Sequence, residues 1–366
     1  METLALHTHH ARLGARFGSV ASREVVLRYG PKGAPSGAAD EARSDGEQGA
    51  MRDALALVDL SARQVLSVTG PDRLSFLHGM VTQDVKGMAE WDVGYAALLT
   101  AKGAMVADVR LVRREEDVLL LLEPGLADPV LAHLQRFLIS EDAEVQDVSA
   151  SFGQLSLVGP HAWALAQRLF GLPGDSPPVS HVLRGGIESH AVLVLPSALL
   201  LQGVDLLVST EGLEAVFTAL LDTGSEDGLR PAGWEALEVL RVERGVPRYG
   251  VDMDERTIPM EANLERALHY QKGCYIGQEV IARATFRGHM NRRLVGLLLG
   301  EAHPAPRTEL FLGDKKVGFV TSVVHSVRLG QQLALGYVHR DVQEPGTALR
   351  LAGDAGSATV HTLPFG

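Results

Sequence analysis

The sequence predicts an α+β fold that ends in a small antiparallel β module, a barrel or a sandwich. Two observations predict it. From residue 54 to residue 290, strand-like alternation is interspersed with apolar residues at helical spacing; after Met290 only short strand patterns remain, separated by Gly-Asp and other turn signals. With 366 residues, 46% of them hydrophobic and 22% charged, the chain can build a sizeable core spread over two or three domains.

Residues 1–50 are expected to be a flexible N-terminal extension and linker. "HTHH" at 7–10 reads as a solvated polar tract near a mobile terminus, and "PKGAPSGAADEARSDGEQGA" (31–50) has no apolar periodicity. From Ala54 the pattern tightens. "RQVLSVTG" alternates as a strand, Gly70-Pro71 breaks it, and Leu74, Leu77 and Val81 recur on one face of a helix whose first turn suits Pro71. "AALLT", "VADVRLV" and "DVLLLLE" follow as strands. A second block begins near Phe152. In it "AVLVLPSALLLQGVDLLV" (191–208) is interrupted by Pro196, Ser197, Gln202, Gly203 and Asp205, so it reads as two buried strands and a turn, not a membrane span. "GWEALEVLRVERG" reads as a helix with Trp234, Leu237, Leu240 and Arg241 on one side and Gly245 as its stop. "RLVGLLLG", "TELFLGDKKVGFVTSVV", "QQLALGYVH" and "ALRLAGDAGSATVHTL" supply the strands of the terminal module. The expected domains are therefore the extension, 1–50; a core, 51–290, in two parts of roughly 51–150 and 151–290; and the β module, 291–366.

A formal net charge of −11 works against broad attraction to nucleic-acid backbones. The single cysteine allows neither an internal disulfide nor a thiolate-rich metal cage and fits a reducing compartment. The first thirty residues lack the apolar core of a secretory signal, so a cytoplasmic location is expected, with no membrane partner.

Three stretches can carry chemistry. "QKGCYIGQEV" (271–280) frames Cys274 with Gly273 and Gly277, which permit positive φ or close approach, while Lys272 can stabilise a thiolate; the bland alternative is a small buried hydrophobe. Downstream, Arg283, Arg287, Arg292 and Arg293 with His289 form a run with no acid from 280 to 300. It suits an anionic ligand or an RNA backbone, or else surface arginines paired with acids elsewhere. "VERGVPRYGVDMDERTIPMEANLE" (242–265) concentrates Glu243, Asp252, Asp254, Glu255, Glu261 and Asn263 in a punctuated loop. Its carboxylates can accept hydrogen bonds from an amino-heterocycle or order turns.

"KGCYIGQEVIARATFRGHMNRRL" resembles the signature of YgfZ-type folate-binding proteins, iron-sulfur cluster assembly factors also described as tRNA-modifying. "LALVDLSARQVLSVTGPDRLSFLHGMVTQDV", "GYAALLTAKGAMVADVRLV" and "RVERGVPRYGVDMDERTIPMEANL" resemble, in order, the wider aminomethyltransferase family of the glycine cleavage T-protein. The similarity runs from about residue 54 to the C-terminus. It implies a folate-binding core of two interwoven α+β subdomains followed by a small antiparallel β-barrel. It implies tetrahydrofolate or a one-carbon derivative as cofactor, no stable metal, and reduced folate and iron-sulfur client enzymes as partners, with direct tRNA binding left open.

By that resemblance Cys274, Lys272 and Asp108 are the catalytic candidates. Asp108, Asp205, Arg241, Glu261, Asn263 and Arg287 are the folate contacts, and Gly273, Tyr275, Gly277, Gln278 and Glu279 support the cysteine turn. The T-protein carries two adjacent acids where this chain has Ala107 and Asp108, a departure that weighs against aminomethyl transfer. The leading expectation is thus a tetrahydrofolate-binding accessory factor for iron-sulfur proteins, including tRNA-thiolating enzymes; the alternative is a folate-dependent aminomethyltransferase or related one-carbon transferase.

Overall fold

The computed structural model describes residues 2–30, 38–198, 202–286 and 290–366. In chain order the elements are α1 (His7–Arg12), β1 (Ala15–Val20), β2 (Arg23–Tyr29), α2 (Ala38–Asp53), β3 (Ala56–Asp59), β4 (Gln64–Thr69), α3 (Arg73–Met80), β5 (Val93–Leu99), β6 (Met105–Arg113) and β7 (Val118–Leu122). Then come α4 (Ala127–Gln135), β8 (Glu144–Asp147), β9 (Phe152–Val158), α5 (Ala162–Phe170), β10 (Leu183–Ile187), β11 (His190–Pro196), β12 (Gly203–Ser209), α6 (Thr210–Gly224), β13 (Arg230–Ala232), α7 (Trp234–Glu243) and α8 (Gln278–Phe286). The terminal strands are β14 (Arg292–Gly300), β15 (Glu309–Leu312), β16 (Lys315–Ser326), β17 (Gln331–His339), β18 (Ala348–Leu351) and β19 (Ser357–His361).

The chain forms two compact units from alternating stretches: Met1–His78, Asp84–Tyr95 and Val109–Leu237 make the first, and Gly79–Gln83, Ala96–Asp108 and Glu238–Gly366 the second. Residues 238–290 count with the barrel's unit, and most of the expected subdomains 51–150 and 151–290 fall together in the first.

In unit 1 a six-stranded sheet runs β10-β11-β12-β9-β3-β13. The apolar stretch at 191–208 forms the antiparallel pair β11–β12, with Leu195 opposite Asp205. One face of that sheet packs Leu155, Leu157, Val204 and Leu206 against Leu165 and Phe170 of α5 and Val216 and Phe217 of α6. The other face contributes Leu195 and Leu207 to a second cluster with Val65, Val112, Leu119 and Leu121, from strands of the five-stranded sheet β5-β6-β7-β4-β8. In unit 2, strands β14-β17-β16-β15-β18-β19 close into the barrel around Leu297, Leu310, Val320, Leu349 and Val360. Helix α7 stops as expected: Gly245 takes a left-handed φ of +69° and its N–H donates back to Val242.

The N-terminal fifty residues depart from expectation. Residues 2–30 carry α1 and the β1–β2 hairpin, with Leu4, Leu6, Val25 and Val26 buried, and residues 38–53 form α2; the remainder of the expected linker, 31–37, lies outside the described residues. The "HTHH" tract is not a solvated tail. His10 is fully buried, its Nε2 2.7 Å from Asp59 and its Nδ1 2.7 Å from the Tyr29 hydroxyl, so a polar ring is accommodated because both nitrogens find partners. Glu47 of α2 ties this region together by accepting the backbone N–H groups of Tyr29 and Gly233, and burial pushes its carboxyl up to about 7.

Candidate functional site

Unit 2 brings the cysteine turn and the start of β6 into one framework. Cys274 is exposed, which removes the reading of a small buried hydrophobe. The turn is fixed on both sides. Gly277 has φ +85°, and a Cβ there would meet the Thr100 carbonyl oxygen at 2.7 Å, so only glycine fits. The Tyr275 N–H donates to Gln278 Oε1 at 3.1 Å, as expected of Gln278, and the Ile276 N–H donates to Gly79.

Lys272, a catalytic candidate, and Glu279, a supporting one, each take partners other than those expected. Lys272 is buried; its ammonium donates to the Val81 carbonyl at 2.6 Å and stands 5.0 Å from the centre of the Tyr275 ring, so these bonds clip the turn to residues 79–83. Glu279 is exposed and pairs with Arg283 one helical turn on, leaving Gln278 to hold the turn. Because the thiol is exposed, Cys274→Ser is expected to change stability by less than ~0.5 kcal/mol. Cys274 is expected to alkylate fully in the folded protein, and labelling followed by intact mass checks it. A thiol that reacts only after unfolding would contradict the placement.

Along β6, Met105, Ala107 and Val109 are buried while Val106, Asp108 and Arg110 are partly exposed, the period of two that a strand imposes. Ala107 therefore faces the core and Asp108 the opposite side. An acid at 107 would have been buried, so the departure at Ala107 does not diminish the face that Asp108 presents. The same strand start is bound by the 242–265 loop: the Met105 N–H donates to the Thr257 carbonyl at 3.0 Å, and the Tyr249 hydroxyl donates to the Met105 carbonyl at 3.3 Å. Burial, then the carboxylates of Glu255, Asp254 and Asp108, push the Tyr249 phenol up to about 12, so it remains a neutral donor. Tyr249 was not among the expected site residues; a tyrosine inside an acidic, glycine-broken loop is the signal that marks it.

The remaining candidates are placed elsewhere. Arg241 is buried, and its N–H groups are taken by Glu238, Asp252 at 2.7 Å, the Val246 carbonyl and Ser322. Thr321 and Ser322 of β16 donate to the other oxygen of Asp252, so the ion pair joins α7, the loop and the barrel strand. Glu261 accepts from Arg292 at 3.0 Å. Asn263, at a left-handed φ of +58°, donates to the Leu294 carbonyl and accepts from Arg293, which also pairs with Glu265. Arginines 283, 292 and 293 have acidic partners within the fold, the alternative left open beside an anion-binding run; Arg287 and His289 lie outside the described residues. In unit 1, Asp205 is bonded by Arg110 at 2.6 Å, the Ser156 hydroxyl at 2.7 Å and the Ala198 N–H at 2.9 Å, which makes it a tie for the β11–β12 hairpin. Among the described residues no helix is long and apolar enough to cross a membrane.

A core of α/β sheets followed by a closed six-stranded barrel defines the class. Residues 6–272 match the GCVT N-terminal domain and residues 292–365 match the glycine cleavage T-protein C-terminal barrel domain. The chain belongs to this T-protein family. An aminomethyltransferase of Saccharopolyspora erythraea is 30% identical over 98% of this chain and 96% of its own length, and one of Rubrobacter xylanophilus is 28% identical over 98% and 93%. The crystal structure of glycine cleavage system aminomethyltransferase T from Bartonella henselae shares the fold, with a TM-score of 0.87 at 24% identity over 100% of this chain and 98% of that one.

Proposed function

We propose that the chain is a tetrahydrofolate-dependent one-carbon transferase of the aminomethyltransferase type. The observation that carries this reading is Asp108, on the partly exposed face of β6 beside the loop that supplies Tyr249, Asp254 and Glu255. The donor set fits a reduced folate: a pterin edge offers N–H donors, and these carboxylates are acceptors. Burial works to raise the Asp254 carboxyl, but Arg256 and Arg307 outweigh it and hold it below its ordinary value, so it stays an acceptor. Asp108 would hold or take up a proton at the reacting nitrogen, while the Tyr249 phenol keeps its proton in the bond to the Met105 carbonyl. Tetrahydrofolate, when bound, would accept the one-carbon unit. Incubation with tetrahydrofolate and an aminomethyl-loaded lipoyl carrier is expected to yield methylene-tetrahydrofolate and ammonia; a folded protein that binds no tetrahydrofolate at millimolar concentration sinks the reading.

The exposure of Cys274 on a clipped, glycine-framed turn supports a second reading, a YgfZ-type folate-binding factor for assembly or repair of iron-sulfur proteins. A thiol displayed this way is available to a client protein. Complementation of a deletion strain with wild-type or Cys274→Ser protein, scored by iron-sulfur enzyme activity, separates the two. The second reading requires the serine variant to fail while the transferase assay stays at the wild-type rate.

A further inference from the structure

Met105, the first residue of β6, is held through both of its backbone groups by a single loop: its N–H by the Thr257 carbonyl and its carbonyl by the Tyr249 hydroxyl. That loop is itself rigidly founded. Gly250, at φ +82°, closes a tight turn in which its N–H donates to Met253 at 2.8 Å and the N–H groups of Val251 and Asp252 donate to Arg248. The Arg248 N–H donates in turn to the Asp252 carboxylate, the buried partner of Arg241. Tyr249 therefore projects from a backbone pinned to the buried Arg241–Asp252 ion pair onto the end of the strand that bears Asp108. Asp108 lies three residues along that strand, about 10 Å from Met105 at the rise of an extended chain. With its pKa pushed up to about 12, the phenol stays protonated and so retains the proton of this bond near neutral pH.

We propose that Tyr249 is a positioning residue: through its hydroxyl bond to the Met105 carbonyl it sets the placement of the β6 end and hence of the Asp108 carboxylate. This rests on the reading of Asp108 as the reacting acid. A misplacement of about 1 Å at a reacting group can cost on the order of 100-fold in rate. Loss of one of the two ties is therefore expected to lower kcat several-fold, with a smaller change in the KM for tetrahydrofolate.

The test is a double-mutant cycle of Tyr249→Phe and Asp108→Asn in the full chain, measured as aminomethyl transfer to tetrahydrofolate. Tyr249→Phe alone keeps the ring and is expected to lower kcat about 3- to 10-fold, the range of one lost hydrogen bond. In the Asp108→Asn background the same change is expected to have almost no effect, because there is no longer a carboxylate to place. Additive losses would mean that Tyr249 acts independently of Asp108 and overturn the proposal. Hydrogen exchange supplies a readout that does not depend on activity: Tyr249→Phe is expected to speed exchange of the amides of residues 105–108 and leave those of β17 unchanged. Unchanged exchange at 105–108 overturns the proposal too. If the wild-type protein transfers nothing or Asp108→Asn is silent, the transferase reading fails first and this inference falls with it. A silent or additive Tyr249→Phe beside an impaired Asp108→Asn overturns the inference alone.

Discussion

Arg241→Leu is expected to lower the free energy of unfolding by about 3–5 kcal/mol, the cost of leaving the partner of a buried ion pair uncompensated. The partner is Asp252, whose side chain is fully buried and which would keep only Thr321, Ser322 and the Arg248 N–H. Leucine fills much of the volume but supplies no donor, so the Ser322 hydroxyl and the Val246 carbonyl lose theirs as well. Urea denaturation followed by circular dichroism measures the change. Tetrahydrofolate affinity per folded molecule should stay within about threefold, since loss of stability and loss of a ligand contact are separable by titrating only the native fraction. A variant with wild-type stability and greatly weakened folate binding would instead make Arg241 a ligand contact and reverse its assignment to the fold.

Why that role was not legible beforehand is instructive. The helix phase of "GWEALEVLRVERG" put Arg241 on the same side as Trp234 and Leu237, and that side is indeed buried. A cation on the apolar face of a helix needs an internal partner, yet nothing local names it: Asp252 lies 11 residues on and Ser322 lies 81 residues on. The arginines after residue 280, which suited either an anion or acids elsewhere in the fold, show the same limit. Arg292 and Arg293 find Glu261 and Glu265, which precede them by 31 and 28 residues, and a window without acids says nothing of acids delivered by the fold.

His10 and Asp59, 49 residues apart, show the same limit at the N-terminus, where a histidine-rich tract looked solvated. What was legible was local. Alternation gave β11, β12 and the barrel strands, and glycine gave the stop of α7 and the cysteine turn, because strand period and positive φ are properties of a few consecutive residues. The side on which Ala107 falls was also available from alternation: neighbours in a strand face opposite ways, so two adjacent acids never present the same face.

That alternation shapes the second large expected effect. Asp108→Asn is expected to reduce the rate of aminomethyl transfer to tetrahydrofolate by about 100- to 1,000-fold, the usual loss when a preorganised charge is removed from a reacting centre. Asparagine keeps the shape and one acceptor oxygen but neither carries charge nor takes a proton. Because Asp108 sits on the partly exposed face of β6, the fold is expected to survive with its melting temperature nearly unchanged. Tetrahydrofolate affinity should fall by no more than about tenfold, as Asp254 and Glu255 remain, so the loss appears in kcat rather than KM. Ala107→Asp is the matching control from the buried face. It places a carboxylate where the wild-type side chain is fully buried, and it is expected to destabilise the chain by several kcal/mol without raising the rate per folded molecule. Transfer at the wild-type rate by Asp108→Asn, with folding and folate binding intact, would remove Asp108 from the chemistry and leave the exposed Cys274 turn as the functional centre of the chain.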